Sequence, residues 1–134
     1  MIARSGFSFE NKVVVVTGSG KGIGAETVRY FFERGAKVVV NDIDGDVAKK
    51  TAKELDSSLD RVWVSSHDVS AREQAEKLVA GTREKFGRLD VLVNNAGILR
   101  DAMLMKLEEK QWDDVLRVNL KGPFNMGQAC APVF

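Results

Sequence analysis

The chain has 134 residues, enough for one domain with a real core, and 20 Lys and Arg against 19 Asp and Glu leave it at a net charge of +1. No block of like charge argues for nucleic acid or an anionic membrane as a partner, and the apolar runs are too short to span a bilayer. The opening MIARSGFSFENK has no continuous apolar stretch to serve as a signal peptide, and the one cysteine, Cys130, admits no internal disulfide, so a reducing cytoplasm is expected.

Residues 12–17 read as the first strand, since Val13-Val14-Val15-Val16 is the near-continuous apolar run of a parallel strand covered on both faces. The run ends in Thr17-Gly18-Ser19-Gly20-Lys21-Gly22-Ile23-Gly24 and leads into a helical stripe of Ile23, Val28, Phe31 and Phe32. Glycines let backbone turn tightly and approach a ligand, and the N–H groups opening the helix favour an anion such as a pyrophosphate. The spacing is not that of a P-loop, which would need glycine at Val15 and a hydroxyl residue at Gly22. Nor is it G-x-G-x-x-G, because counting from Gly18 puts Ile23 in the last place. It is T-G-x-x-x-G-x-G, met by Thr17, Gly18, Gly22 and Gly24.

Gly35 closes the first helix and residues 37–41 form a second strand. Asp42 follows, 18 residues after Gly24, where a dinucleotide fold places the acidic residue that accepts hydrogen bonds from ribose hydroxyls. The plainer reading is that Asp42 only begins the polar turn Asp42-Ile43-Asp44-Gly45. A second helical stripe follows in Val47, Ala48, Thr51 and Leu55.

Residues 61–67 read as the third strand, closed by His67-Asp68-Val69. Ser70-x-x-Glu73 reads as a capping box for a third helix with apolar Ala75, Leu78, Val79, Thr82 and Phe86, ending at Gly87. His67 is the only histidine, makes neither a metal site nor a triad, and is read as structural; no metal is expected. Residues 89–94 form the fourth strand and run into Asn94-Asn95-Ala96-Gly97. A fourth helix is expected from near Leu107, including Trp112, Val115, Leu116, Val118 and Leu120. Pro123, four residues after Asn119, has no N–H to offer the Asn119 carbonyl. Either that oxygen is left for water, or Pro123 simply shapes the helix.

The order β-α-β-α-β-α-β-α predicts an α/β, Rossmann-type fold of three layers in a single domain over residues 1–134. Its four parallel strands take the order 3-2-1-4.

The glycine turn, Asp42, Asp68 and the Asn-Asn-Ala-Gly run together resemble the short-chain dehydrogenase/reductase family. The resemblance implies a nicotinamide dinucleotide partner, with NAD favoured over NADP because a 2′-phosphate would meet like charge at Asp42. Lys21 pulls the other way, since NADP-using relatives carry a basic residue there. It implies cofactor contacts at Gly18, Ser19, Gly20, Lys21, Gly22, Ile23 and Gly24 in the turn, at Asp42, and at Asp68 and Val69 beside the adenine. Asp68 is otherwise a turn residue before Ser70. Asn95, Ala96 and Gly97 complete the contacts, while Asn94 bridges neighbouring strands and the Asn119 carbonyl holds a proton-relay water.

The family's Ser, Tyr and Lys are missing: the one tyrosine, Tyr30, is followed four residues later by Arg34. The resemblance covers only the first half of a typical member, so the chain is expected to stop before the catalytic region and to bind nucleotide without turnover. A non-catalytic folding or assembly module with a relic site is the alternative, and a separate polypeptide supplying the other half is a third reading. Gly97-Ile98-Leu99-Arg100-Asp101 and Trp112-Asp113-Asp114-Val115 resemble 3-oxoacyl-acyl-carrier-protein reductases and related 3-hydroxyacyl dehydrogenases. An uncovered fourth strand and fourth helix imply a homo-oligomer.

Overall fold

The computed structural model describes residues 6–134; residues 1–5, part of the segment read for a leader, lie outside the described residues. Four strands, β1 (Val13–Val16), β2 (Lys37–Asn41), β3 (Val62–Ser65) and β4 (Val91–Val93), alternate with helices α1 (Gly22–Glu33), α2 (Gly45–Leu55) and α3 (Arg72–Phe86). After β4 come α4 (Glu109–Leu116), a π turn over Arg117–Lys121, and α5 (Gly122–Cys130).

The strands form one parallel sheet in the order β3-β2-β1-β4, as the alternation of patterns requires. Val15 sits between Val39 and Leu92 in register, so β1 is central. Both faces are apolar because both are covered. Val14, Val16, Val38 and Val40 pack with Val28 of α1 and with Ala48 and Ala52 of α2. Val15 and Val39 pack on the other face with Leu78 and Val79 of α3 and with Met126 and Cys130 of α5. Burying each such valine contributes about 1.5–3 kcal/mol, which explains why β-branched residues fill β1 and β2. Burial also pushes the Cys130 thiol up to about 11, so it stays a neutral packing group.

Two local expectations are corrected. Ser70 does not cap α3, which starts at Arg72 with Ala71 as N-cap and no side-chain cap. Its hydroxyl is engaged elsewhere, donating to Asp68 Oδ1 at 2.6 Å and accepting from Arg117 Nη1. The fourth helix is not one regular piece from Leu107. It opens at Glu109 in a reciprocal Glu108–Gln111 capping box, then widens into the π turn ahead of Pro123. Proline cannot donate in the ladder, and the inserted residue absorbs the mismatch. The layer facing α3 is accordingly α5 rather than α4.

Candidate functional site

The turns leaving the carboxyl ends of the strands surround a cleft of about 550 Å³, at the point where the chain passes to β2 on one side of β1 and to β4 on the other. Gly18, Lys21, Asp42, Asp68, Val69, Asn95, Ala96 and Gly97, all singled out in the sequence, line it. Ser19, Gly20, Gly22, Ile23, Gly24 and Asn119 do not.

The glycine turn is built by contact as much as by φ. Gly18 has φ +62°, and a Cβ on it would come within 2.8 Å of the Ala96 Cα. A Cβ on Gly24 would come within 2.5 Å of Asn95 Nδ2. Ser19 is buried and turned inward, its hydroxyl donating to the Val16 carbonyl at 2.7 Å and accepting from the Asn41 N–H at 3.0 Å. Gly22 and Gly24 form the first turn of α1, and Ile23 stands exposed beside them. Lys21 is the N-cap of α1 but makes no side-chain cap, and the first turn holds no acidic residue. The N–H groups that open α1 therefore have no side-chain acceptor from the protein, which suits an anion.

Asn95, not Asn94, makes the bridge between neighbouring strands. Its Nδ2 donates to the Thr17 and Gly18 carbonyls at 3.0 Å each. Thr17 Oγ1 in return accepts from the Asn95 and Ala96 N–H groups, also at 3.0 Å. One threonine and one amide thus lock the β1 turn to the β4 turn.

Asp42 is half-buried; its Oδ1 accepts from the Asp44 N–H at 3.0 Å, and its Oδ2 lies 2.6 Å from where a Gly20 Cβ would be. Asp68 Oδ1 accepts from the Ser70 N–H at 2.9 Å, and Oδ2 lies 3.7 Å from Arg117 Nη1, which also donates to Ser70 Oγ. The Val69 carbonyl accepts from Asn125 Nδ2 of α5 at 3.0 Å. Asn119 stands behind Gly97: its Oδ1 accepts from the Ile98 N–H at 2.8 Å and its Nδ2 donates to the Ile98 carbonyl at 3.0 Å. The π turn carries the Gly122 N–H to the Arg117 carbonyl, five residues back, and Pro123 offers Asn119 no donor.

Asn41, His67, Arg100, Arg117 and Val118 also line the cleft but were not singled out as site residues. Asn41 Nδ2 donates to Ser65 Oγ and the His67 carbonyl, both at 3.0 Å, and His67 Nδ1 lies 2.9 Å from Ser65 Oγ. These are links between strand ends, with no spacing to announce them. Arg117 reaches Asp114 at 3.6 Å; the Lys110 ammonium, 2.7 Å from Asp114, and then Arg117 hold that carboxyl below the usual range. Among the described residues no group of three or more His, Cys, Asp or Glu converges as a metal site would, and no helix is long and apolar enough to cross a membrane.

A family model described as short chain dehydrogenase matches residues 12–134. A 3-oxoacyl-[acyl-carrier-protein] reductase, FabG, of Thermotoga maritima is 42% identical over 123 residues, which are 92% of this chain and 50% of that protein. The (2S)-[(R)-hydroxy(phenyl)methyl]succinyl-CoA dehydrogenase subunit BbsD of Thauera aromatica is 42% identical over 120 residues, 90% of this chain and 48% of that one. Among solved structures, a 3-ketoacyl-(acyl-carrier-protein) reductase from Brucella melitensis complexed with NADH superposes with a TM-score of 0.89 at 34% identity, covering 95% of this chain and 52% of that one. The chain spans about half the length of these two curated relatives.

Proposed function

The chain belongs to the short-chain dehydrogenase family, and from that premise we propose that its cleft binds a nicotinamide dinucleotide, NAD in preference to NADP. The observation that carries the reading is the uncapped start of α1 behind a turn where Gly18 and Gly24 leave no room for a Cβ. A pyrophosphate fits there because it needs N–H donors and close backbone approach. Gly18 to Gly24 then hold the pyrophosphate, Asp42 the adenosine ribose hydroxyls, and Asp68 with Val69 the adenine. Asn95, Ala96 and Gly97 wall the side next to β4.

Once bound, the nicotinamide gives or takes a hydride. In a full-length member of the family the other reactant is a carbonyl or hydroxyl, and the names of the relatives favour a 3-oxoacyl thioester. The Asn119 carbonyl, without a donor from Pro123, holds a water of the proton relay. A general acid must still deliver a proton to the substrate oxygen. Tyr30, the one tyrosine, lies outside the cleft under the Arg34 guanidinium, 3.5 Å above its ring. These 134 residues alone therefore bind without turnover. We place the protein in a reducing cytoplasm, in keeping with a free, buried Cys130. Its exposed apolar side chains on α4 and beyond favour a homo-oligomer.

Titrating the purified chain with NAD and NADP, followed by calorimetry, tests the reading. Saturable binding with NAD the tighter ligand is expected. Binding of neither dinucleotide overturns it and leaves the folding or assembly module as the better account.

A further inference from the structure

Arg117 and Asp68 both line the cleft, and the buried hydroxyl of Ser70 links them. The two oxygens of Asp68 are used unequally. Oδ1 is filled: it accepts from the Ser70 N–H at 2.9 Å and from the Ser70 hydroxyl at 2.6 Å. Oδ2 takes no hydrogen bond among the described residues. Arg117 Nη1, 3.7 Å away, is close enough to attract it and too far to occupy a lone pair. A hydroxyl has one hydrogen to give. Arg117 Nη1 donates to the Ser70 oxygen, so that hydrogen is left to point at Asp68. Arg117 is itself held from α4, where its Nη2 lies 3.6 Å from Asp114. Gln74 Oε1 fixes the backbone of Asp68, accepting from its N–H at 2.8 Å.

We propose that Arg117 is a positioning residue: acting through the Ser70 hydroxyl, it holds the Asp68 carboxylate so that Oδ2 stays open as an acceptor for the adenine amino group. The inference rests on the reading of the cleft as a dinucleotide site with Asp68 beside the adenine. An amino group donates and an ionised carboxylate only accepts, so the two suit each other. The carbonyl of hypoxanthine, at the same ring position, would meet that carboxylate acceptor to acceptor. Selectivity between the two bases therefore depends on where Oδ2 points. Asp68 is 40% exposed, so its own packing does not fix that direction. Arg117 supplies the constraint, its guanidinium fork engaging Ser70 through one nitrogen and facing Asp114 with the other. Its effect falls on base selectivity, not on pyrophosphate binding at the glycine turn.

The test uses the full chain and two ligands, NAD and nicotinamide hypoxanthine dinucleotide, and reads the ratio of Kd for the second to Kd for the first. The unmodified chain should show a ratio of about ten. Arg117→Ala should lower it to about three or less, and Arg117→Lys, which keeps the charge and a donor for Ser70, should restore part of it. Ser70→Ala removes one buried oxygen, breaks the link at its other end, and should lower the ratio as well. Arg72→Ala, the loss of an exposed arginine outside the cleft lining, should leave the ratio alone. A ratio unmoved in both Arg117→Ala and Ser70→Ala, or an equal loss of affinity for both ligands, overturns the proposal while dinucleotide binding still stands. An unmodified chain that binds both ligands equally overturns Asp68 as the adenine contact, and one that binds neither overturns the cofactor reading itself.

Discussion

Asn95 and Gly18 meet through a single hydrogen bond, Nδ2 to carbonyl at 3.0 Å, that ties the turn after β4 to the turn after β1. The same nitrogen reaches the Thr17 carbonyl at 3.0 Å, so one side chain satisfies two backbone acceptors at the mouth of the cleft. Replacing Asn95 by Ala leaves both without that donor. Stability should fall by about 1–3 kcal/mol in urea unfolding, and dinucleotide affinity should fall with it. Asn94→Ala, which breaks neither bond, should cost less on both measures; equal losses would remove Asn95 from its bridging role.

Glycine to alanine changes should split by environment. At Gly24 the new Cβ meets Asn95 Nδ2 at 2.5 Å, and either the helix start or the Asn95 bridge must shift. Binding should be lost there and stability reduced by about 1–3 kcal/mol. At Gly127, exposed on α5 with nothing within 4 Å, the same change should stabilise by up to about 1 kcal/mol through helix propensity. Thermal melts of the two variants beside the unmodified chain check both signs.

The backbone plan was legible because valine runs, helical stripes and glycine punctuation agreed at every step. Four parallel strands in the order β3-β2-β1-β4 follow from that agreement and from right-handed crossovers. The cleft was legible where backbone shape dictates residue type, at Gly18 and the Asn-Asn-Ala-Gly run. It was illegible where choice depends on a partner far away in sequence. Nothing local tells that Asn95 rather than Asn94 turns toward Thr17, or that Ser70 prefers Asp68 to the start of α3. Arg117 reaches the cleft from the junction of α4 and the π turn, far in sequence from the Asp68 it approaches, and one missing N–H at Pro123 does not specify how the helix will adjust.

Asp42→Ala should narrow the preference for NAD over NADP. The ribose hydroxyls would lose a charged acceptor, worth about 1–3 kcal/mol, and a 2′-phosphate would lose one repelling charge. Parallel calorimetric titrations with both dinucleotides measure the ratio. Equal affinities in the unmodified chain would count against Asp42 as the ribose ligand.

Acid should weaken the fold partly through Asp90. Burial pushes its carboxyl up, but the Arg88 guanidinium at 2.6 Å and the Val13 N–H at 2.8 Å more than offset this and hold it below the usual range. A carboxyl with a lowered folded pKa contributes stability that is present above its unfolded pKa, about 3.9, and lost as pH falls through the folded value. Stability from this group should be flat near neutrality and decline below about pH 4. In Asp90→Asn that part of the acid dependence should disappear, alongside a lower plateau from the lost Arg88 and Val13 contacts. An unchanged acid slope in urea melts between these pH values would show that the group carries no such linkage.

Self-association should run through α4 and the π turn. Trp112, Leu116, Leu120 and Phe124 fall at every fourth residue and are 57%, 39%, 66% and 60% exposed. In an unbroken α-helix of 3.6 residues per turn such a series would drift around the axis, ending about a third of a turn away. The extra residue of the π turn takes up about 100° of that drift, bringing Phe124 back toward the face of Trp112. The result is a contiguous apolar stripe, the kind of surface that marks an interaction site. β4, an edge strand among the described residues, adds unpaired backbone groups nearby. Each large side chain fully buried between two copies would contribute about 1.5–3 kcal/mol against the cost of association. Light scattering behind size-exclusion chromatography at micromolar concentration should therefore report a dimer or larger species. Leu120→Asp, at an exposed position, should raise the dissociation constant at least about tenfold without lowering the melting temperature of the dissociated chain. A monodisperse monomer in the unmodified protein would overturn the assignment of this stripe.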